Sequence, residues 1–351
     1  MFRTPLVAWL LLSCACTTSG IAGQVDAAPE VPTQAPMPIR EPATAPLKVD
    51  VPRPKIALVL SGGGARGLAH VGVLRVLHEA GVPIDLIVGT SVGALVGARY
   101  AANPDIFELE WMAQRVTKDD IFDFSFLSGS MGPVQGDALV EFVEEHFPEP
   151  MIESFTIPFF SVAADLNTGE KVVFSDGNIA NALRASVSIP GVFRPFAHEG
   201  RLLIDGGVVE NIPVSTAHEL GADLVIASSV TKGVHDREIG NVVDVILQSI
   251  TIMMSKSAVH ELETADVVIE PPIGDIGTMD FTQTKRSLGE GLRTARAQLH
   301  LVYEVIERYY RTRGGVIPEE LEAIRHIANR HQRETQEQTK VVHQPVTTMP
   351  Q

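Results

Sequence analysis

Cysteine is nearly missing from this chain, which has two among 351 residues, Cys14 and Cys16. Everything after position 16 therefore lacks the thiols that a disulfide or a cysteine-ligated metal site requires. Basic residues are also scarce, 28 against 43 acidic ones, and the formal net charge is −15. This balance argues against nucleic-acid binding and against electrostatic attraction to anionic membranes. We predict no metal site, no cofactor and no nucleic-acid partner.

The apolar run Pro5–Leu12 is too short to span a bilayer. Because a basic residue precedes it, the pattern predicts a lipoprotein signal peptide over residues 1–13. The stretch that ends at Cys14 resembles a bacterial lipobox and predicts this cysteine as the lipidated residue. Cys16 is an alternative, and a cleaved signal with a soluble secreted product is another.

Residues 14–53 are small, polar and punctuated by proline. Its prolines include Pro29, Pro32, Pro36, Pro38, Pro42 and Pro46. Such a sequence cannot bury a core, so we predict a flexible, lipidated tether. Lipidation with more than one chain would hold the protein stably at a membrane. The predicted location is the bacterial cell envelope, at the outer membrane and facing the periplasm.

Glycine frames three short motifs. The first, Gly62–Gly67, follows Lys55–Leu60, a run of mostly branched apolar residues that predicts a buried strand, and it precedes a helical pattern. Glycines at such a junction leave several N–H groups unblocked at a helix start, where the dipole favours negative charge. We therefore predict an anion site, for a phosphate or for the oxyanion of a tetrahedral acyl intermediate.

The phosphate alternative arises because Gly62, Gly64 and Gly67 also fit the spacing of a dinucleotide-binding turn. That fold needs an acidic residue at the carboxyl end of the second strand. Asp85 has about the right spacing but precedes the strand predicted over 86–88, so it would lie at the wrong end.

The second motif, Gly89–Gly93, places Ser91 between a predicted strand and a helix of small residues. A nucleophile elbow needs small residues two before and two after the serine, because the turn is tight and strained. The N–H of Val92 would then point to the oxyanion. The plainer alternative is a serine that caps a helix.

The third motif is Asp205-Gly206-Gly207, which ends a strand predicted over 201–204. In a parallel sheet, a carboxylate at a carboxyl end would lie at the same rim as the serine elbow. The alternative is a common Asp-Gly hairpin turn.

No histidine stands in a distinctive frame. His70 and His78 fall within the first helical pattern, and His218 follows Asp205 in a helical segment. His218 would preserve the chain order of a Ser-Asp-His triad. We interpret it as an ordinary histidine on a helix surface.

The three motifs together resemble the patatin-like phospholipases, and among them the bacterial branch that is similar to neuropathy target esterase. A fourth family block appears as Ala185–Pro190, with sequence ASVSIP. The resemblance covers residues 54 to about 230 and implies a three-layer α/β hydrolase fold, with a predominantly parallel sheet flanked by helices.

By that resemblance Ser91 is the nucleophile and Asp205 the base of a two-residue dyad. The implied oxyanion hole comprises Gly62, Gly63, Gly64 and Val92. Further motif residues would support the site: Arg66, Gly67, Gly89, Gly93, Gly206 and Gly207. Arg66 would brace the turn or face an anionic head group. Because the base must take the hydroxyl proton directly, we expect burial to raise the pKa of Asp205 toward neutrality.

The catalytic domain is predicted over residues 54–312, and a short helix with a disordered tail over 313–351. Amphipathic patterns predict helices over Leu288–Tyr310 and Pro318–Arg333. Between elbow and aspartate, the segment 120–132 has alternate phenylalanines, which predict a core-packed strand face or else a lining for an acyl groove.

The sequence thus predicts a serine hydrolase that cleaves acyl esters of phospholipids or lysophospholipids. Two alternatives remain. The acyl-enzyme could pass its acyl group to an acceptor other than water, as in an acyltransferase. The glycine-rich turn could also bind an anionic lipid without turnover.

Overall fold

The computed structural model describes residues 50–124, 132–147, 149–231, 239–240 and 242–342. The predicted signal peptide, nearly all of the predicted tether, Cys14, Cys16 and residues 125–131 lie outside the described residues. The strands are β1 (Ile56–Leu60), β2 (Leu86–Thr90), β3 (Phe159–Asp165), β4 (Lys171–Phe174), β5 (Phe196–His198), β6 (Arg201–Asp205), β7 (Leu224–Ser228) and β8 (Val267–Ile269). The helices are α1 (Ala69–Glu79), α2 (Val92–Ala102), α3 (Ile106–Arg115), α4 (Asp137–His146), α5 (Ile179–Ser186), α6 (Gly207–Glu210), α7 (Val214–Glu219), α8 (Val242–Thr264), α9 (Thr284–Thr312) and α10 (Glu319–Val342).

All eight strands join one sheet in the order β5-β6-β3-β2-β1-β7-β8, and β4 also pairs with β3. The five strands from β3 to β8 in this order run parallel, which confirms the predicted α/β class. Every residue of β1, β2 and β7 is buried. Helices must therefore cover both faces of the sheet, as is typical of parallel sheets.

The strand residues alternate between two apolar layers. Ile56, Leu58 and Leu60 of β1 pack into a large cluster with α1, α2, α3, α9 and α10. Ala57 and Val59 face the opposite cluster, to which α7 and α8 contribute. The result is the predicted three-layer arrangement.

The strand that carries Asp205 differs from the prediction, because β6 runs antiparallel to β3. Val162 of β3 pairs with Thr90 of β2, and the next residue, Ala163, pairs with Asp205. Both β3 residues also pair with β4, which therefore occupies one edge of β3. Since a strand has two edges, β2 and β6 lie end to end along the other. Asp205 therefore comes close to the elbow because β2 and β6 pair with consecutive residues of β3. The prediction that it lies at the carboxyl rim of a parallel sheet is wrong, since β6 is antiparallel.

The C-terminal part is more helical than predicted. The first predicted helix lies within α9, but α10 continues from the predicted end at Arg333 to Val342. Residues 335–342 therefore belong to a helix and not to the predicted disordered tail, while 343–351 lie outside the described residues. Within the described part of the chain, no helix has both the length and the apolarity that a membrane crossing demands.

Candidate active site

Ser91 sits on a strained turn between β2 and α2. Its φ of 56° and ψ of −128° are unusual for a residue with a side chain. The flanking glycines permit the turn, since a Cβ at Gly93 would collide with the Leu60 carbonyl and one at Gly89 would lie 2.5 Å from Ala94 Cα. Ser91 is 4 % exposed. The geometry is that of a nucleophile elbow.

The side chain of Ser91 lies beside the carboxylate of Asp205 and acts on its pKa as a hydrogen-bond donor would. The carboxylate also accepts the N–H of Gly207 at 2.7 Å. Both interactions favour the charged form, but burial outweighs them and raises the pKa of Asp205 to about 6. The expected shift toward neutrality is therefore confirmed. A carboxylate with this pKa is ionised at neutral pH and can still accept a proton.

Asp205 does not belong to an Asp-Gly hairpin. The turn of the β5–β6 hairpin lies earlier, at Glu199 and Gly200, where φ is 47° and 77°. After Asp205 the chain enters the short helix α6 at Gly207. Gly206 is needed at this point because a Cβ there would collide with the carbonyl of Val162.

The ASVSIP block links the backbones of the two dyad residues, a role that the sequence did not predict. The Ser186 hydroxyl accepts the Ser91 N–H at 2.8 Å and donates to the Val162 carbonyl at 2.6 Å. The Ser188 carbonyl accepts the Asp205 N–H at 2.9 Å. Ser186 thus fills the junction where β2 and β6 meet along β3.

The glycine turn supplies fewer free donors than expected. The Gly62 N–H donates to the Asn211 carbonyl at 3.1 Å, so the prediction that it serves the oxyanion hole is wrong. Gly64 and Val92 each begin a helix, and Gly63 immediately precedes one, so their N–H groups have no intrahelical acceptor. These three amides remain as candidate oxyanion donors.

Close packing explains why the turn is built from glycine. Gly64 has a φ of 59°, and a Cβ there would collide with the Thr278 carbonyl. Gly63 has an extended φ of 167°, which any residue can adopt, but a Cβ would lie 2.7 Å from Val230 Cγ2. Gly67 faces the side chain of Val92, so the turn packs directly on the elbow.

Arg66 is buried, with an exposure of 7 %. Burial lowers the pKa of its guanidinium to about 10, and the side chain remains a cation at neutral pH. Its Nε has no hydrogen-bond partner in the described part of the chain. The side chain borders a cavity that Ser91 and Asp205 also line. The unpartnered Nε beside this cavity is consistent with the anion-facing alternative.

Two cavities meet at Ser91 and Gly64. One is apolar and extends between α2, α3 and α4; among its lining residues are Leu95, Ala113, Phe122, Leu139 and Phe193. The other is more polar and contains Arg66 and Asp205. An ester held at Ser91 could therefore extend an apolar chain into one cavity and a polar group into the other.

The three histidines considered above, His70, His78 and His218, contact groups other than Ser91 and Asp205. His70 is buried between the Ser228 hydroxyl and the Ser61 carbonyl, and burial lowers its pKa to about 4. His78 contacts the Tyr100 hydroxyl. His218 is exposed and contacts the Thr264 carbonyl at 3.1 Å, which confirms its interpretation as a helix-surface residue.

The dinucleotide alternative also fails on geometry. Asp85 lies at the amino end of β2, where its carboxylate accepts the Ile56 N–H at 2.7 Å and pairs with Arg53. It therefore cannot hold a ribose beside the glycine turn.

Comparison with known proteins agrees with this site. Residues 58–218 match a family model described as patatin-like phospholipase. This part of the chain is therefore similar to a patatin-like domain. An uncharacterized NTE family protein of Mycobacterium tuberculosis is 31 % identical over 271 residues, which cover 70 % of this chain and 46 % of that protein. The lysophospholipase nte1 of Neurospora crassa is 29 % identical over 302 residues, which cover 76 % and 19 %.

The solved structure of VipD from Legionella pneumophila shares the fold, with a TM-score of 0.50, 15 % identity, and coverage of 83 % of this chain and 76 % of that one. The chain spans less than half the length of both curated relatives. All four sequence motifs, from the glycine turn to the Asp205 motif, lie within the matched range of residues 58–218.

Sequence reasoning missed two contributors to the candidate site. Ser186 was part of a recognised block, but nothing in the block revealed which partner its hydroxyl meets. Asn211 holds Gly62 through its carbonyl, and its Nδ2 donates to the Thr231 hydroxyl at 2.8 Å. Its position six residues after Asp205 was the only available signal.

Proposed function

We propose that this chain is a serine acyl-ester hydrolase of membrane phospholipids or lysophospholipids, with Ser91 as nucleophile and Asp205 as base. The observation that carries the proposal is the pairing of a strained, buried Ser91 with Asp205 in the lining of one cavity, at the point where an apolar cavity adjoins it. The name of the Neurospora relative, lysophospholipase, supports a lipid substrate.

The reaction would proceed through an acyl-enzyme. Ser91 Oγ attacks the ester carbonyl as Asp205 takes the hydroxyl proton, and the carbonyl oxygen becomes an oxyanion. The N–H groups of Gly63, Gly64 and Val92 stabilise it, each donor contributing on the order of 3 kcal/mol. Collapse expels the alcohol, which receives the proton from Asp205. Water then attacks the acyl-enzyme and loses its proton to Asp205. Collapse of this second intermediate releases the fatty acid, and Ser91 Oγ leaves with the proton that Asp205 returns to it.

The lipid would bind with its acyl chain in the apolar cavity. The lining of this cavity is almost entirely hydrocarbon, and Phe122 packs there against Phe193 with ring centroids 5.3 Å apart. On the other side of Ser91, the buried guanidinium of Arg66 would attract a phosphate. Among the described residues no carboxylate affects its pKa, and a desolvated arginine favours an anionic ligand. This arrangement favours phosphorylated acyl esters over uncharged ones.

The central test is covalent labelling with a fluorophosphonate together with hydrolysis of lysophosphatidylcholine. Wild-type protein should be labelled and active, whereas Ser91→Ala should be unlabelled and Asp205→Asn inactive. His218→Ala is the matched control and should keep its activity. Absence of both labelling and turnover would support the lipid-binding alternative, and loss of activity in His218→Ala without unfolding would support a triad.

The acyltransferase alternative is tested by product analysis with added alcohol acceptors. A hydrolase releases mainly free fatty acid, whereas a transferase produces new esters.

For the acyl cavity, Ala113→Phe should shift the preference toward shorter acyl chains. The ratio of the rates on butyryl and palmitoyl esters measures this preference within one protein.

We further propose that lipidation at Cys14 tethers the enzyme to the cell envelope, on the periplasmic side of the outer membrane. The order of apolar run, lipobox and proline-rich stretch supports this location. Cys14→Ala should move the protein from the membrane fraction to the soluble fraction. Retention in membranes would assign the lipid to Cys16 or make the apolar run an uncleaved anchor.

A further inference from the structure

Helix α8 has an apolar face on the outside of the molecule. Its exposed apolar residues recur at helical spacing, and their exposure ranges from 36 to 73 %: Val242, Val245, Ile246, Ile252, Met253 and Val259. A surface helix normally places polar residues on this side and keeps one apolar stripe for the core. The outer face of α8 also exposes Ser249, Lys256 and His260, but its apolar residues outnumber these polar ones two to one.

The inner face of the same helix belongs to the candidate site. Leu247, Ile250, Thr251 and Met254 line the cavity that contains Ser91 and Asp205. The helix is thus the wall between this cavity and the surroundings. Whatever covers its outer face is therefore separated from the cavity by this one helix.

The charged residues of α8 do not favour a charged partner. From Val242 to Val259 the helix carries one acidic residue, Asp244, and one basic residue, Lys256, so the charges balance. The formal charge of the whole chain, −15, repels an anionic surface. An uncharged, apolar environment fits both facts.

The size of the face argues against a second copy as the occupant. The six side chains together expose on the order of 500 Å², below the roughly 800 Å² per partner of a stable protein–protein interface. The face is about 26 Å long at 1.5 Å per residue, which suits a helix lying flat at a lipid–water boundary.

We propose that the outer face of α8 docks the enzyme onto a zwitterionic lipid bilayer. The choice of a lipid occupant rests on the proposed function, because the cavity on the inner face would receive its substrate from that bilayer. Docking through α8 is separate from the lipidated tether. It would hold the cavity against the membrane, whereas the tether only keeps the protein near it.

The test uses the full chain with Cys14→Ala and Cys16→Ala, so that no acyl anchor contributes, and with Ser91→Ala, so that the lipid is not consumed. Partition onto phosphatidylcholine vesicles is measured by flotation. Val245→Asp together with Met253→Asp should lower the partition coefficient at least about tenfold. Two apolar side chains that would be buried in the bilayer are lost, and two charges are added. Val316→Asp, which replaces a valine that is 67 % exposed between α9 and α10, should leave it unchanged.

Matched proteins that retain Ser91 separate the two proposals. Hydrolysis of a soluble butyryl ester should survive Val245→Asp with Met253→Asp, while hydrolysis of vesicle lipid should fall. A milder pair, Val245→Ser with Met253→Ser, should lower the partition in the same direction if the aspartates disturb folding. Absence of any esterase activity would end the proposed function, but partition of the Ser91→Ala protein would still decide the docking.

Unchanged partition in both α8 pairs would overturn the inference. So would a wild-type dimer, detected by light scattering, that the α8 substitutions convert to a monomer without altering partition. That result would assign the face to a second copy of the chain.

Discussion

The hydroxyl of Ser186 accepts the backbone N–H of Ser91 at 2.8 Å, in a site from which water is excluded. The same hydroxyl donates to β3 through the carbonyl of Val162. The strained residue that carries the proposed nucleophile is therefore held by a side chain from α5, which is distant in sequence. We infer that Ser186 is a positioning residue for Ser91.

Removing this hydroxyl should disturb the position of Ser91 more than the binding of substrate. Ser186→Ala leaves a buried N–H without an acceptor, at a cost of about 1–3 kcal/mol. We expect kcat for a soluble ester to fall about 10- to 100-fold with little change in KM. Ser186→Cys, which retains a weak acceptor, should restore part of the rate.

Ser161→Ala is the matched control, since Ser161 is equally buried on β3 and its hydroxyl has no partner in the described part of the chain. It should leave kcat and the melting temperature nearly unchanged. Equal losses in the two alanine variants would show that Ser186 has only a packing role.

The pH profile should report Asp205. Its carboxylate must be ionised to accept the Ser91 proton, and its pKa is about 6. The value of kcat/KM should therefore be low at pH 5 and rise through a midpoint near pH 6 to a plateau. A midpoint near 4 is the ordinary pKa of a solvated carboxyl group, so it would mean that the limiting group is not the buried Asp205.

Asp205→Asn should make the folded protein more stable while it removes activity. A carboxyl with a raised pKa binds its proton more tightly when folded, so its contribution to stability is present below about pH 4 and is lost as pH rises through about 6. An amide avoids this cost. At pH 8 we expect a gain of about 1–3 kcal/mol in the free energy of unfolding, by denaturant titration.

The control for this prediction is the same titration at pH 3.5, where Asp205 is largely protonated in both states and the gain should vanish. A gain that is independent of pH would arise from packing and not from ionisation.

Gly64→Ala should lower kcat far more than it raises KM. The added Cβ would collide with the Thr278 carbonyl and shift the N–H groups that are proposed to face the oxyanion. Gly81→Ala is a suitable control, because Gly81 has a similar φ of 68° but nothing within 4 Å of a Cβ. Both variants bear the same backbone strain, so a comparable loss of kcat in each would count against the oxyanion role of the turn.

Local patterns predicted β1, β2, β6 and α9 because strand burial and helical spacing are written in consecutive residues. The glycines at positions 89 and 93 predicted the elbow for the same reason. Contacts between distant segments were not predictable in this way. The occupied amide of Gly62 depends on Asn211, and the direction of β6 depends on its pairing with β3, and neither partner is marked in the local sequence.

The prediction of the elbow therefore succeeded, because one segment determines its geometry. The prediction for the Gly62 amide failed, because a distant segment supplies the carbonyl that accepts its hydrogen bond. The burial that raises the pKa of Asp205 lies between these cases, because the need for a base with a near-neutral pKa was clear from the chemistry before its environment was known.

The end-to-end arrangement of β2 and β6 along one edge of β3 has a consequence for folding. The elbow forms within β2 and α2, but its carboxylate partner arrives only when the short strand β6 pairs with three residues of β3. A nascent or partly opened chain thus has a serine without a base. The proposed base is therefore in place only after more than half of the chain has been synthesised, and Ser91 loses it when β6 detaches.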